Sequence, residues 1–197
     1  MNYREYQGVC DMAWRILLRE GVCALPVGIV GLCGQLGIAV QGYTPQDQKE
    51  GFSVIMKGQP VIYVRRDRPK TRKRFTVAHE LGHILLGHVG EYPLSRDPLP
   101  QDDPREKAAN AFAVRILAPA CVLWGCGVQT PEEIAALCGI SLEAAAFRAG
   151  RLALLRQRNK FLTSPLERAV YEQFQPFITC HRQAAHLPGA DGLFLPR

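Results

Sequence analysis

The sequence predicts an α+β fold: a small three-stranded sheet beside packed helices, followed by a C-terminal helical segment. Three observations carry that assignment. Short β-branched runs at 38–43, 52–56 and 61–64 fall close together, and Lys57-Gly58-Gln59-Pro60 between the last two is turn chemistry. Beyond residue 70, apolar residues recur at three and four, the period of a helix with one buried face. With 197 residues, 47% of them apolar and 21% charged, the chain can bury one ordinary core with at most a small appendage.

Each element follows from local chemistry. Residues 1–20 form a helix whose face is Ala13, Ile16, Leu17 and Leu18, and Gly21 ends it. Pro26 suits the start of a short helix over 27–36, stopped by Gly37. A strand over 38–43 leads into a polar loop, and 52–56 with 61–64 make a hairpin. Thr71 is read as the cap of a helix running to about His88, with Phe75, Ala78, Leu81, Leu85 and Leu86 at helical spacing. Four prolines between 92 and 104 interrupt that pattern, and a second long helix spans about 105–117, closed by Pro119. Thr130-Pro131-Glu132-Glu133 opens a helix ending at Gly139, and Ser141 caps the next, which passes Leu155. The remainder, from Asn159, carries Phe161, Leu166, Tyr171, Phe174 and Phe177 and is expected to be a loosely ordered end. The division expected is a core over 1–120 and a helical extension over 121–197, the helix pair lying at about 131–157.

Composition narrows the function classes. No uninterrupted apolar run reaches the 18–20 residues, roughly, of a membrane-spanning helix, and the first residues lack a secretory layout. No membrane role is expected. The seven cysteines are odd in number, scattered and without a Cys-x-x-Cys pair, so they read as small buried hydrophobes in a reducing cytoplasm. The net charge of +6 is local, because Arg65, Arg66, Arg68, Lys70, Arg72, Lys73 and Arg74 are opposed within their stretch only by Asp67. A uniformly basic nucleic-acid coat is excluded.

The chemistry centres on His79-Glu80-Leu81-Gly82-His83. Helical residues four apart are separated by about 40° and about 6 Å of rise, so both imidazoles leave one face and can fill two corners of a zinc tetrahedron. Glu80, turned by about 100°, is placed to act as a general base on water. A catalytic zinc needs a third protein ligand. A further histidine on the same helix would need Gly at 86 and His at 89, where Leu86 and Val89 stand. A carboxylate from downstream is the other solution. Glu106, at the start of the second long helix and one turn before Asn110, is one candidate; Glu91, Asp97, Asp102 and Asp103 are others on a less rigid connector.

Arg74-Phe75-Thr76-Val77-Ala78-His79-Glu80-Leu81-Gly82-His83-Ile84-Leu85-Leu86 resembles the signature of the ImmA/IrrE family of zinc metallopeptidases. So does Glu106-Lys107-Ala108-Ala109-Asn110-Ala111-Phe112-Ala113 with Ile116-Leu117-Ala118-Pro119, with two departures: Ala108 stands where the family carries a second acid, and Arg115-Ile116 replaces an acid–leucine pair. The resemblance covers most of residues 10–156. It implies a zincin-like core in which Glu106 joins His79 and His83 as the Zn²⁺ ligand set and Glu80 is the catalytic residue. It also implies a regulatory protease acting on a protein substrate, a helix-turn-helix repressor of a mobile element or stress regulon.

An extended substrate is expected to pair with the hairpin strand 61–64 as a sheet edge. Tyr63, His88, Arg115 and His181 are candidates for stabilising an oxyanion. Cys180, His181 and His186 could hold metal, a weaker prospect than a plain chain end. The segment 130–158 has helix-turn-helix proportions, with Arg148, Arg151, Arg156 and Arg158 on its second element. DNA contact there, or at the basic strip 65–74, defines the rival reading: a non-catalytic DNA- or partner-binding regulator on a zincin scaffold. The plainer reading of 130–158 is two packed helices with solvated arginines, and the strip serves equally as a connector or as a guide for acidic substrate.

Overall fold

The computed structural model describes residues 2–44, 49–90 and 102–185. Glu91, Asp97 and His186 lie outside them. The described residues form three strands and nine helices of a mixed α+β fold. Helix α1 (Tyr3–Arg19) opens with a capping box in which Asn2 and Glu5 satisfy each other's backbone donors. A short α2 (Ile29–Gln35) follows, and Gly37 takes the left-handed conformation that turns the chain into β1 (Ala39–Tyr43).

Strands β2 (Gly51–Met56) and β3 (Gln59–Arg65) form the expected hairpin. Its loop is only two residues, Lys57 and Gly58, both at positive φ, as a turn matching the strand twist requires. Pro60 therefore sits inside β3, opposite Ile55, before β3 begins to pair with β1 at Val61. There its missing N–H removes no ladder bond.

The sheet order is β1-β3-β2, with β1 parallel and β2 antiparallel to β3. This corrects the expectation for 61–64: it is the central strand, hydrogen-bonded on both sides, and offers no edge. A hairpin fixes which strands are neighbours but not the side on which an earlier strand docks. β1 docks on one side of β3 and β2 on the other, so the two edges of the sheet are β1 and β2.

Helix α3 (Lys70–Leu85) begins after Pro69, and no side chain caps it. Thr71 is thus not the cap; it lies within the first turn, where Pro69 enforces the entry. Helix α4 (Pro104–Leu117) starts with Asp103 accepting from the Arg105 N–H. Beyond it come α5 (Ala120–Cys126), α6 (Pro131–Cys138) and α7 (Leu142–Gln157). The Thr130–Glu133 capping box and the left-handed Gly139 frame α6, and Ser141 caps α7, as the sequence predicts.

The tail departs from expectation. It forms α8 (Pro165–Gln173), capped by Ser164, and α9 (Gln175–Ala185), and buries Val170, Phe174 and Ile178 in the same core as α1, α3 and α4. Gln173 ties it further, donating to the carbonyls of Leu17 and Val22 at 2.8 and 2.7 Å. The stretch Pro104–Cys126 is long and apolar enough to cross a membrane by length and composition, with 72% of its most apolar window buried inside the protein. It forms much of the core: Ala109, Phe112, Ala113, Ile116, Cys121, Val122 and Leu123 are all fully buried.

Candidate metal centre

Helices α3 and α4 pack against each other closely at Gly82, where a side chain would have no room. A Cβ at that position would meet Phe112 Cδ1 at 3.1 Å and the Ala109 backbone at 3.3 Å. Glycine at the fourth position of the His-Glu-x-x-His run lets α4 approach closely, which brings its first turn, with Glu106, up to the histidine face of α3.

The result is a triangle of donor atoms. His79 Nε2 and His83 Nε2 stand 3.0 Å apart, while the two carboxylate oxygens of Glu106 lie 3.1 Å from the first and 3.2 Å from the second. A tetrahedral zinc with bonds of 2.0–2.2 Å holds its ligand atoms roughly 3.3 Å apart, so the set fits such an ion in element type and in spacing. His79, His83 and Glu106 are the cluster among the described residues whose donors gather within 4.8 Å. His83 is 1% exposed, whereas the His79 and Glu106 side chains keep 16% and 20%. The cluster is walled on one side and reachable on the other.

Neighbours fix the rings. Asn110, one turn along α4 from Glu106, places Oδ1 2.9 Å from His79 Nδ1. An amide oxygen only accepts, so Nδ1 of His79 carries the proton and Nε2 is left as the donor toward a cation. Glu80 is buried at 7% exposure and accepts a 2.7 Å hydrogen bond from Ser53 Oγ on β2. Gly51, two residues earlier on that strand, is needed for the same packing, since a Cβ there would meet Thr76 Cγ2 at 2.5 Å and the Tyr63 carbonyl at 2.7 Å.

Of the downstream carboxylates, Glu106 is brought to the histidines. Asp103 instead caps α4 and pairs with Arg105. Among the oxyanion candidates, Arg115 turns to the Tyr6 hydroxyl at 2.7 Å, Tyr63 donates to Met56 Sδ, and His181 stacks on Phe177 of α9. His88 alone of the four adjoins the cluster, its Nδ1 3.0 Å from Nδ1 of His83. Sequence reasoning did not find Ser53, since nothing in a serine on a strand announces a partner 27 residues away.

The arginines behave differently. Arg148 is 4% exposed and donates through Nε (2.8 Å) and Nη2 to the carbonyl of Ala118, where α4 ends; burial brings its guanidinium down to about 10. Arg156 reaches the Val128 carbonyl at 2.8 Å. Arg74, from the basic strip, bonds the carbonyls of Val27, Cys138 and Gly139, and the rest of the strip is largely engaged too. Arg65 pairs with Asp67, Arg68 and Arg72 with Glu50, and Arg66 with the Gly42 carbonyl. Arg148 and Arg156 thus spend these donors on main-chain carbonyls, Arg148 fully inside the protein and Arg156 half-buried.

Residues 33–149, more than half of the chain and both halves of the donor cluster, match the M78 peptidase family as its IrrE N-terminal-like domain. The chain belongs to this family. An IrrE-like assignment accords with the ImmA/IrrE resemblance of the two motifs, and the family is one of metallopeptidases of zinc type. The chain is also 29% identical over 89 residues to the uncharacterized protein YibQ of Escherichia coli (strain K12). That similarity takes in 45% of this chain and only 28% of YibQ.

Proposed function

We propose that this IrrE-like protein is a zinc-dependent endopeptidase with a zincin-like core, in which His79, His83 and Glu106 hold the ion and Glu80 is the general base. The observation that carries the reading is the convergence of three donors from two helices with one approach left accessible. Zinc held by them supplies Lewis acidity, acidifying water and polarising a carbonyl.

The protein's own groups do the rest. Glu80 takes a proton from the attacking water on its carboxylate and returns it to the leaving amine nitrogen. Ser53 holds one oxygen of that carboxylate, which fixes its rotamer. An extended peptide adds to β2, the edge strand adjoining α3, rather than to the central β3. The division expected at about residue 120 enters as a division of labour: the part before it carries the donors, and helices α6 to α9 beyond it brace them.

The substrate we propose is a helix-turn-helix repressor of a mobile element or stress regulon, cleaved in the cytoplasm; the support is the motif resemblance together with seven free cysteines. Glu80→Gln should retain stoichiometric zinc and lose cleavage of a candidate repressor, followed by gel and mass spectrometry. Undiminished cleavage by that variant refutes the mechanism.

A further inference from the structure

Helix α3 ends in a way that bears on its second histidine. Leu86 closes the helix, Gly87 takes φ +72°, and the chain folds back: the His88 N–H reaches the His83 carbonyl at 2.9 Å and the Gly87 N–H reaches the Ile84 carbonyl at 3.1 Å. Those two bonds define the Schellman termination, in which the residue after the left-handed one is laid over the residue three places before the helix cap. That upstream position commonly meets an apolar side chain in a hydrophobic contact. Here the pair is His88 and His83, and their rings meet through nitrogen, Nδ1 to Nδ1 at 3.0 Å. A helix continued past Leu86 would have swung His88 well around the axis and away from the cluster.

The chemistry of that contact is one-directional once His83 binds a cation. Nε2 of His83 faces His79 and Glu106, so it must be unprotonated to serve as a donor, and the ring proton then sits on Nδ1. The group opposite Nδ1 has to accept. Nδ1 of a neutral His88 does so. We infer that His88 is a positioning residue for the metal centre: the glycine-terminated end of α3 returns it onto His83, where it fixes the ring orientation and the tautomer that offers Nε2 to a divalent cation. It is the counterpart of Asn110 on His79, so that each imidazole of the pair is oriented by a hydrogen bond to its far nitrogen. The inference rests on the zinc site proposed above and extends it by one residue.

The test compares the parent with His88→Leu and His88→Asn, all stripped of metal. Zinc affinity is read by competition with a chromophoric chelator, ligand geometry by the cobalt(II) absorption spectrum, and helix integrity by the melting temperature of the metal-free forms. Leucine suits the apolar contact of a Schellman end, so His88→Leu should melt close to the parent while binding zinc about 10- to 100-fold more weakly, with an altered cobalt spectrum. His88→Asn supplies an amide oxygen that can accept from Nδ1 and should recover part of the loss. Parent-like affinity in His88→Leu overturns the inference. So does an asparagine variant no better than the leucine one at matched melting temperature, because the effect is then packing alone. A parent that binds no zinc removes the site itself, and the inference with it.

Discussion

The α3–α4 contact and the α6–α7 helix pair are both rich in charged side chains, yet they use them in opposite ways. In the pair, Arg148 and Arg156 end on main-chain carbonyls left over where other elements stop, Ala118 and Val128. At the α3–α4 contact, ionisable groups are turned on one another: two imidazoles and a carboxylate meet within 3.2 Å, with amide and imidazole acceptors behind them. A charge satisfied by a helix end is a fastening. A cluster of lone-pair donors facing one another is compatible with a metal ion, the role proposed for it above. The contrast separates structural from chemical polarity in this protein better than exposure does, since Arg148 and His83 are both buried.

The sharpest way to break the contrast is Glu106→Ala. Removing one of three donors should lower zinc affinity by more than about 100-fold while leaving the melting temperature of the metal-free protein nearly unchanged. Metal analysis of the purified parent and variant checks it, and stoichiometric zinc in the variant would mean that the carboxylate is not a ligand. Next in size is Arg148→Met. It strands the Ala118 carbonyl in the core and should cost about 2–4 kcal/mol in urea unfolding. The zinc content of the folded fraction should stay that of the parent. A loss of metal without a loss of stability would reverse the roles assigned to the two regions. The smallest effect expected is that of Ser53→Ala. Deleting one hydrogen bond to a buried carboxylate should slow cleavage about tenfold, with zinc affinity unchanged. Equal rates in parent and variant would show that Glu80 holds its place without the strand.

What the sequence made legible follows the range of the interactions concerned. His79, Glu80 and His83 are set by spacing within one helix, and the caps at Thr130 and Ser141 by neighbours three residues away. Glu106 was one of several carboxylates by geometry alone; a family resemblance singled it out, and the fold brings it to the histidines because Gly82 admits α4. The strand order could not be read, because hairpin chemistry says nothing of where β1 docks. Helices α8 and α9 lacked a motif and are held by long-range packing on α1 and α5, the kind of contact local pattern does not encode. His88 also carries a local signal: Leu86-Gly87-His88 is a helix stop that folds back, where the sequence pattern suggested a helix running to about His88.

The double bond from Arg148 to Ala118 reaches beyond its own stability. It clamps the far end of the rod whose near end presents Glu106, and it comes from residue 148, one position inside the end of the region shared with the family. Anyone trimming this protein to its first 120 residues would cut away that clamp and bare the apolar backs of α1 and α4 to water. The smallest piece worth preparing thus runs well past both motifs.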